Sequence, residues 1–271
     1  MSQNETNVPT GLRFDDLMED RDYLFRLVNT IDWDPQLDAI REVLRRNQNA
    51  SEAVSANIDE LRHEAETYRG PHHERVIDEH VDALFRSSYS DAANSMAAIG
   101  MIVPMLESIY SQSFHSLGEM YANKGMAPPS HARWARAGAH AQRWNCQVYF
   151  TATAETRQDI ISGIRQISAA SGLAAYVTAD TANWIDAMLT YRNKMFHGGF
   201  EWSLAQRNQF EKQIVERHWE DLFLAATSGG DPWIFYIRDE VISEMPKQIE
   251  RILDGMGRFA KALPFELVAM E

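Results

Sequence analysis

Ala97-Ala98-Ile99-Gly100-Met101-Ile102-Val103-Pro104-Met105-Leu106-Glu107-Ser108-Ile109-Tyr110, continued by Ser111-Gln112-Ser113-Phe114-His115-Ser116-Leu117-Gly118-Glu119-Met120-Tyr121, decides the fold class. Ile99, Ile102, Val103, Leu106, Ile109, Tyr110, Phe114, Leu117 and Tyr121 recur at steps of three and four. Those steps place them on one face of an α-helix, and an apolar face that long needs other elements to cover it. The helix reaches ~50 Å at about 1.5 Å per residue. Pro104 is expected to kink it or to mark its true beginning, because proline lacks the N–H that the helix ladder uses.

Working outward, nearly every segment has helical period, and no run of alternating apolar and polar residues argues for a strand. Upstream, Asp34-Pro35 reads as a helix start, with Leu37, Ile40 and Leu44 as its stripe. A second short helix is expected over about 51–67, ended by Gly70-Pro71, and a third carries Val76, Val81, Leu84 and Phe85. Downstream, Gly125 to Pro129 is a break, and Ser130 is the expected cap of the next segment. Ile160, Ile161, Ile164 and Ile167 mark a helix ending near Gly172. Another runs from about Asp180 into Gly198. Ser203-Leu204-Ala205-Gln206 reads as a capping box. Gly229-Gly230 closes that region, and Asp231-Pro232 reads as the start of the last helix, with Ile237, Val241, Met245, Ile249, Ile252, Met256 and Phe259 as core and Pro246 as a bend. The expected organisation is an irregular or disordered N-terminus over 1–33, an acidic helical extension over 34–87, and an all-α antiparallel bundle over 88–265.

A chain of 271 residues, 45% of them hydrophobic, can bury a sizeable core. Its one cysteine, Cys146, excludes an internal disulfide framework and fits a packed residue in a reducing compartment. No apolar leader is visible and the near-apolar run Ala97 to Leu106 is short of the ~20 residues that span a bilayer, so a cytoplasmic protein without a membrane partner is expected. The net charge of −13 argues against a protein that coats nucleic acid non-specifically. The charge is uneven: residues 1–87 carry 19 acidic and 10 basic side chains, residues 88–271 carry 20 and 16.

Within the less acidic part lies Tyr191-Arg192-Asn193-Lys194-Met195-Phe196-His197-Gly198-Gly199. Trp184, Ile185, Met188 and Leu189 make the buried face of the helix that carries it, and Arg192 takes the next step of that stripe. A cation on an apolar stripe needs a partner, either a carboxylate or a substrate phosphate. Arginine's fork fits phosphate oxygens, and histidine exchanges protons near neutral pH. His197 lies five residues beyond Arg192, so in a continuous helix the two point about 140° apart. They converge only if the helix ends between them, as the glycines suggest, or if a second copy supplies one of them. Asn193, four residues before His197, is placed to orient its ring. The bland alternative is a histidine at an ordinary helix C-terminus and an arginine paired with a core carboxylate.

The run resembles the Arg-polar-x-x-x-His signature of HEPN domains, helical bundles that are often metal-independent ribonucleases. The resemblance covers the nine-residue motif, its place on a late bundle helix before a glycine turn, and the all-α chain. It implies a homodimer in which two signature helices form one cleft, with Arg192, Asn193 and His197 assisting attack of an RNA 2′-hydroxyl on the adjacent phosphate. It implies no cofactor. Two rival readings stand beside it. One is a catalytically inactive interaction or nucleotide- or RNA-binding bundle. The other is the toxin of a toxin–antitoxin pair, restrained by an inhibitory protein partner.

Between Glu119 and Glu155 there is no acid, and Lys124, Arg133, Trp134, Arg136 and Arg143 interleave cations with aromatics. Together with Lys194 they are the candidate RNA contacts, since single-stranded RNA is held by phosphate pairing and base stacking. The alternative is an amphipathic helix whose tryptophans are core. His72, His73, Glu74, Asp78, Glu79 and His80 read better as a solvated charged face than as a metal site, because only one Glu-x-x-His, Glu60 to His63, occurs nearby.

Overall fold

In the computed structural model, which describes residues 18–138 and 140–268, the apolar stripe lies on one helix of 51 residues, His73–Asn123. Ile99, Ile102, Val103, Leu106 and Ile109 are fully buried along it. Pro104 sits inside this helix on an exposed position, so it does not mark a beginning. Helix accounts for 71% of the structure, and with two small two-stranded sheets the class is all-α. By length and composition this helix is the candidate membrane span among the described residues, but half of its most apolar window is buried inside the molecule.

In chain order the elements are α1 (Asp20–Leu27), α2 (Asp34–Thr67), α3 (His73–Asn123), α4 (Ala132–Arg136), α5 (His140–Arg143), β1 (Val148–Phe150), β2 (Thr156–Gln158) and α6 (Ile160–Ser171). A 3-10 turn (Leu173–Tyr176) leads to α7 (Ala179–Gly198) and α8 (Leu204–Glu216). Then come β3 (Phe223–Ser228), β4 (Asp231–Ile237), α9 (Asp239–Lys261) and α10 (Phe265–Val268). They form two compact units. The first comprises the described parts of Met1–Asp32, Ser111–Val177 and Ile252–Glu271. The second comprises Trp33–Tyr110 and Thr178–Arg251.

Several expectations are corrected. Residues 18–33 are not irregular, because α1 forms with the Glu19 backbone N–H donating to Asp22 Oδ2 at 2.8 Å; residues 1–17 lie outside the described residues. α2 runs unbroken to Thr67, since no glycine or proline interrupts Asn47 to Ser51, and its cap is Trp33 rather than Asp34. The expected boundary at 87/88 falls inside α3, where nothing in the backbone breaks. α4 is capped by His131, whose Nδ1 accepts from the Arg133 N–H at 3.1 Å, not by Ser130.

The largest correction concerns Gly229-Gly230 and Asp231-Pro232. Both glycines have positive φ, 63° and 90°, the backbone that a two-residue hairpin turn requires. They join β3 to β4, which pair antiparallel with Phe223 opposite Ile237 and a register shift between Ala226 and Thr227. Asp231-Pro232 therefore opens a strand, and the last long helix begins only at Asp239. The fully buried Ser95 Oγ on α3 accepts the Ile237 N–H at 2.8 Å and so ties β4 to α3.

In the first unit, α6 lies directly on the chain around Cys146. A Cβ on Gly163 would stand 2.0 Å from the Cys146 carbonyl oxygen, so only glycine fits. Asp159 caps α6 through the Ser162 N–H, and Gly172 ends it with φ 90°. Cys146 is buried, and burial pushes its thiol up to about 11.

Candidate functional site

α7 owes its position to its buried side. Thr178 caps it by accepting the Thr181 N–H at 3.2 Å, and Trp184, Ile185, Met188, Leu189, Tyr191 and Met195 turn inward. Tyr191 is fully buried and donates to the Phe235 carbonyl at 2.8 Å. Its ring lies within 6.1 Å of Trp202, Phe210 and Phe223. Helix and hairpin are thus locked one residue before Arg192.

Arg192 does find a carboxylate. Its guanidinium pairs with Glu107 on α3, and its Nη1 donates to Asn193 Oδ1 at 3.0 Å. Side-chain exposure is 26% for Arg192 and 24% for Glu107, so the pair sits at the edge of the core with solvent access. Burial lowers the Arg192 pKa, but a guanidinium stays protonated at neutral pH. Asn193 Oδ1 is directed to Arg192, not to the His197 ring four residues on.

His197 is exposed in the last turn of α7 and makes no hydrogen bond or ion pair with any described residue. α7 remains helical through Gly198, so the expected break between Arg192 and His197 is absent. In one chain the two project about 140° apart around the helix. The stop comes one residue later, at Gly199, whose φ of 67° and ψ of −152° suit glycine. Trp202 Nε1 pins the turn by donating to the Gly199 carbonyl at 2.9 Å. Phe196 is half-exposed and its ring tip lies over Gly100 of α3. Lys194 is turned inward. Its ammonium stands 5.6 Å from the Trp202 ring centre and 5.5 Å from that of Phe210, and burial lowers its pKa.

The acid-free segment behaves differently from its expectation. Arg133 is fully buried. It donates five hydrogen bonds: to the carbonyls of Arg143 (2.7 Å), Val148 (3.1 Å), Gln142 (3.2 Å) and Asn145 (2.8 Å), and to Gln166 Oε1 (2.7 Å). Its guanidinium also lies 5.0 Å from the Phe150 ring centre. Burial lowers its pKa to about 10, which leaves it charged at neutral pH. Trp134 is buried, donates to the Pro129 carbonyl at 2.7 Å and packs on Trp144. As RNA contacts, Arg133 and Trp134 are therefore corrected: they hold the loop together. Arg136, Arg143 and Lys124 are half-buried, and Lys124 is engaged within the molecule.

Glu107 was the residue that motif reading missed, although it left a signal. It is the one charged side chain between Asp91 and Glu119. Among the described residues no group of three or more His, Cys, Asp or Glu is placed to hold a metal ion. No family model, curated protein or solved structure matches the chain.

Proposed function

We propose that this protein is a HEPN-like, homodimeric, metal-independent endoribonuclease whose site is shared between two copies. The observation that carries the reading is the pairing of an anchored arginine with an unengaged histidine on one rigid helix. Arg192 is oriented by Glu107 and Asn193 yet reaches solvent, while His197 is exposed beside a glycine turn. Because the two diverge within one chain, one copy supplies the cation and the other the proton carrier. Arg192 would neutralise a phosphate oxygen as charge builds up there. His197 of the partner subunit would take the proton from the attacking 2′-hydroxyl or give one to the departing 5′-oxygen. The new bond joins the 2′-oxygen to phosphorus and the broken bond frees the 5′-oxygen, so the products are a 2′,3′-cyclic phosphate and a 5′-hydroxyl.

The Arg192–Glu107 pair also supports the rival reading, a catalytically inactive interaction bundle, since a satisfied arginine has no need of a phosphate. One experiment separates them. Purified wild type and His197→Ala are incubated with single-stranded RNA in EDTA. The ribonuclease reading expects cyclic-phosphate ends from wild type and a loss of ~10²-fold or more in the variant. Equal rates for the two proteins would remove it. Sedimentation at micromolar concentration tests the shared site, and a monomer that still cleaves would exclude it.

A further inference from the structure

The first unit contains a cavity of about 460 Å³ at the C-terminal end of α3, far in sequence from the Arg192 motif. That size falls within the range of ~300–1,000 Å³ typical of small-molecule sites. It is lined by Ser111, Gln112, His115, Glu119, Trp144 and Asn145. Ser111, His115 and Glu119 follow one another at helical steps of four, so α3 presents a hydroxyl, an imidazole and a carboxylate in one row. Asn145 offers an amide from the loop that Arg133 braces.

Trp144 supplies the decisive detail. Only 6% of it is exposed, and its indole N–H has no acceptor among the described residues. The pyrrole edge lies on Gly118, which also lines the cavity. A Cβ there would come 2.5 Å from Cδ1 and 3.0 Å from Nε1. The absence of a side chain at 118 is what lets the indole edge reach the cavity. The N–H is therefore open to the cavity, where water or a ligand acceptor can take it, and a ligand oxygen that replaces a poorly held water there keeps the hydrogen bond.

The lining selects the ligand. Glu119 is its one carboxylate, and no lysine or arginine lines the cavity, which disfavours phosphates and carboxylic acids. Tyr121 stacks on Trp144 at 5.7 Å and Trp134 packs on it at 4.6 Å, so the indole offers an edge rather than a free face. That disfavours a stacked base and a cation held over an aromatic ring. What remains is a neutral ring carrying several hydroxyls. Adjacent hydroxyls can donate to Glu119 and accept from Gln112, Asn145 and the Trp144 N–H.

We infer that this cavity binds a neutral sugar ring through vicinal hydroxyls. The ring belongs to a free saccharide or to the ribose of a nucleoside. The inference does not depend on the ribonuclease reading.

The full chain, labelled with ¹⁵N on tryptophan, is titrated with glucose, galactose, maltose, ribose, uridine and adenosine. Concentrations run to about 20 mM, where a ligand with Kd near 1 mM saturates its site. The Trp144 indole N–H resonance, assigned by its loss in Trp144→Phe, should shift and saturate with at least one of them. Hexoses acting alone identify a saccharide site, and ribose with the nucleosides identifies a ribose site. The exposed-residue variant Asn145→Ala should weaken binding about fivefold while the other indole resonances stay in place. A Trp144 resonance unmoved by every probe overturns the inference, and so does a shift that Asn145→Ala and Gln112→Ala leave unchanged.

Discussion

The segment around Arg133 and the segment around Arg192 carry the same kind of residue to opposite ends. Both place an arginine among aromatics, the first read in sequence as an RNA contact and the second as a catalytic residue beside a candidate RNA contact, Lys194. Arg133 spends its five donors on four backbone carbonyls and one amide, with no carboxylate and no exposure. Arg192 is tied to one carboxylate and one neighbouring amide, and a quarter of its side chain meets water. A guanidinium whose acceptors are the carbonyls at the end of α5, in the turn after it and at the start of β1 satisfies groups that those short elements leave open. One whose acceptor is a carboxylate on a helix is merely oriented. The number and kind of acceptors, rather than the local sequence, separate a structural arginine from one available to a ligand.

The strongest way to break this contrast is Arg133→Ala. It strands four carbonyls and Gln166 at partly buried positions and leaves the space of a fully buried side chain, so a loss of about 3–5 kcal/mol in unfolding free energy is expected. Denaturant titration followed by circular dichroism measures it. A variant as stable as wild type but weaker on RNA would reverse the assignment. His197→Ala comes next in size. Its stability should stay within about 0.5 kcal/mol of wild type, because the side chain is exposed and unengaged. Any effect should fall on RNA cleavage. A large drop in melting temperature would place His197 in the packing instead.

Two smaller effects sharpen the comparison within the second unit. A double-mutant cycle with Arg192→Gln and Glu107→Gln should give a coupling of about 1 kcal/mol, discounted for partial exposure on both sides. A coupling near zero would mean that Glu107 does not orient the arginine. Asp91 supplies a pH test. Burial, with the nearby Asp239 charge, raises its pKa from 3.8 to about 6. The folded state therefore holds this proton more tightly than the unfolded chain does between those values. Its contribution to stability should decline as pH rises from about 4 to about 6 and then level off. Asp91→Asn should flatten that slope and, because Asp91 is half-buried, raise stability at pH 7 by only about 1 kcal/mol. An unchanged slope in the variant would assign it to other groups.

The features legible in the sequence were those written in neighbouring residues. Ser203 with Gln206 forms the capping box before α8, Gly172 ends α6 in the left-handed region, and the stripe from Ile99 to Tyr121 is the buried side of α3. Two kinds of feature escaped. The hairpin β3–β4 looked like a helix start because aspartate followed by proline suits both, and only the positive φ of two adjacent glycines distinguishes them. At the candidate site, Arg192 and His197 were visible, and so was the need of Arg192 for a partner. That Glu107 is the partner and that Arg133 is buried depend on residues brought together from farther along the chain, whereas Asn193 serving Arg192 is a choice of rotamer between two neighbours.

The hydrogen bond from Ile237 to Ser95 has a consequence for the protein as it is being made. It joins residues 142 positions apart, within a unit whose two stretches, Trp33–Tyr110 and Thr178–Arg251, are separated by the central part of the first unit. At about 5–20 residues per second, a ribosome needs roughly 7–28 s to pass from Ser95 to Ile237. Throughout that interval Ile99, Ile102, Val103 and Leu106 have left the exit tunnel without the segments that cover them. The nascent chain should therefore be a chaperone client until α7 and β4 emerge, and stalled intermediates ending before residue 178 should be the most prone to aggregate.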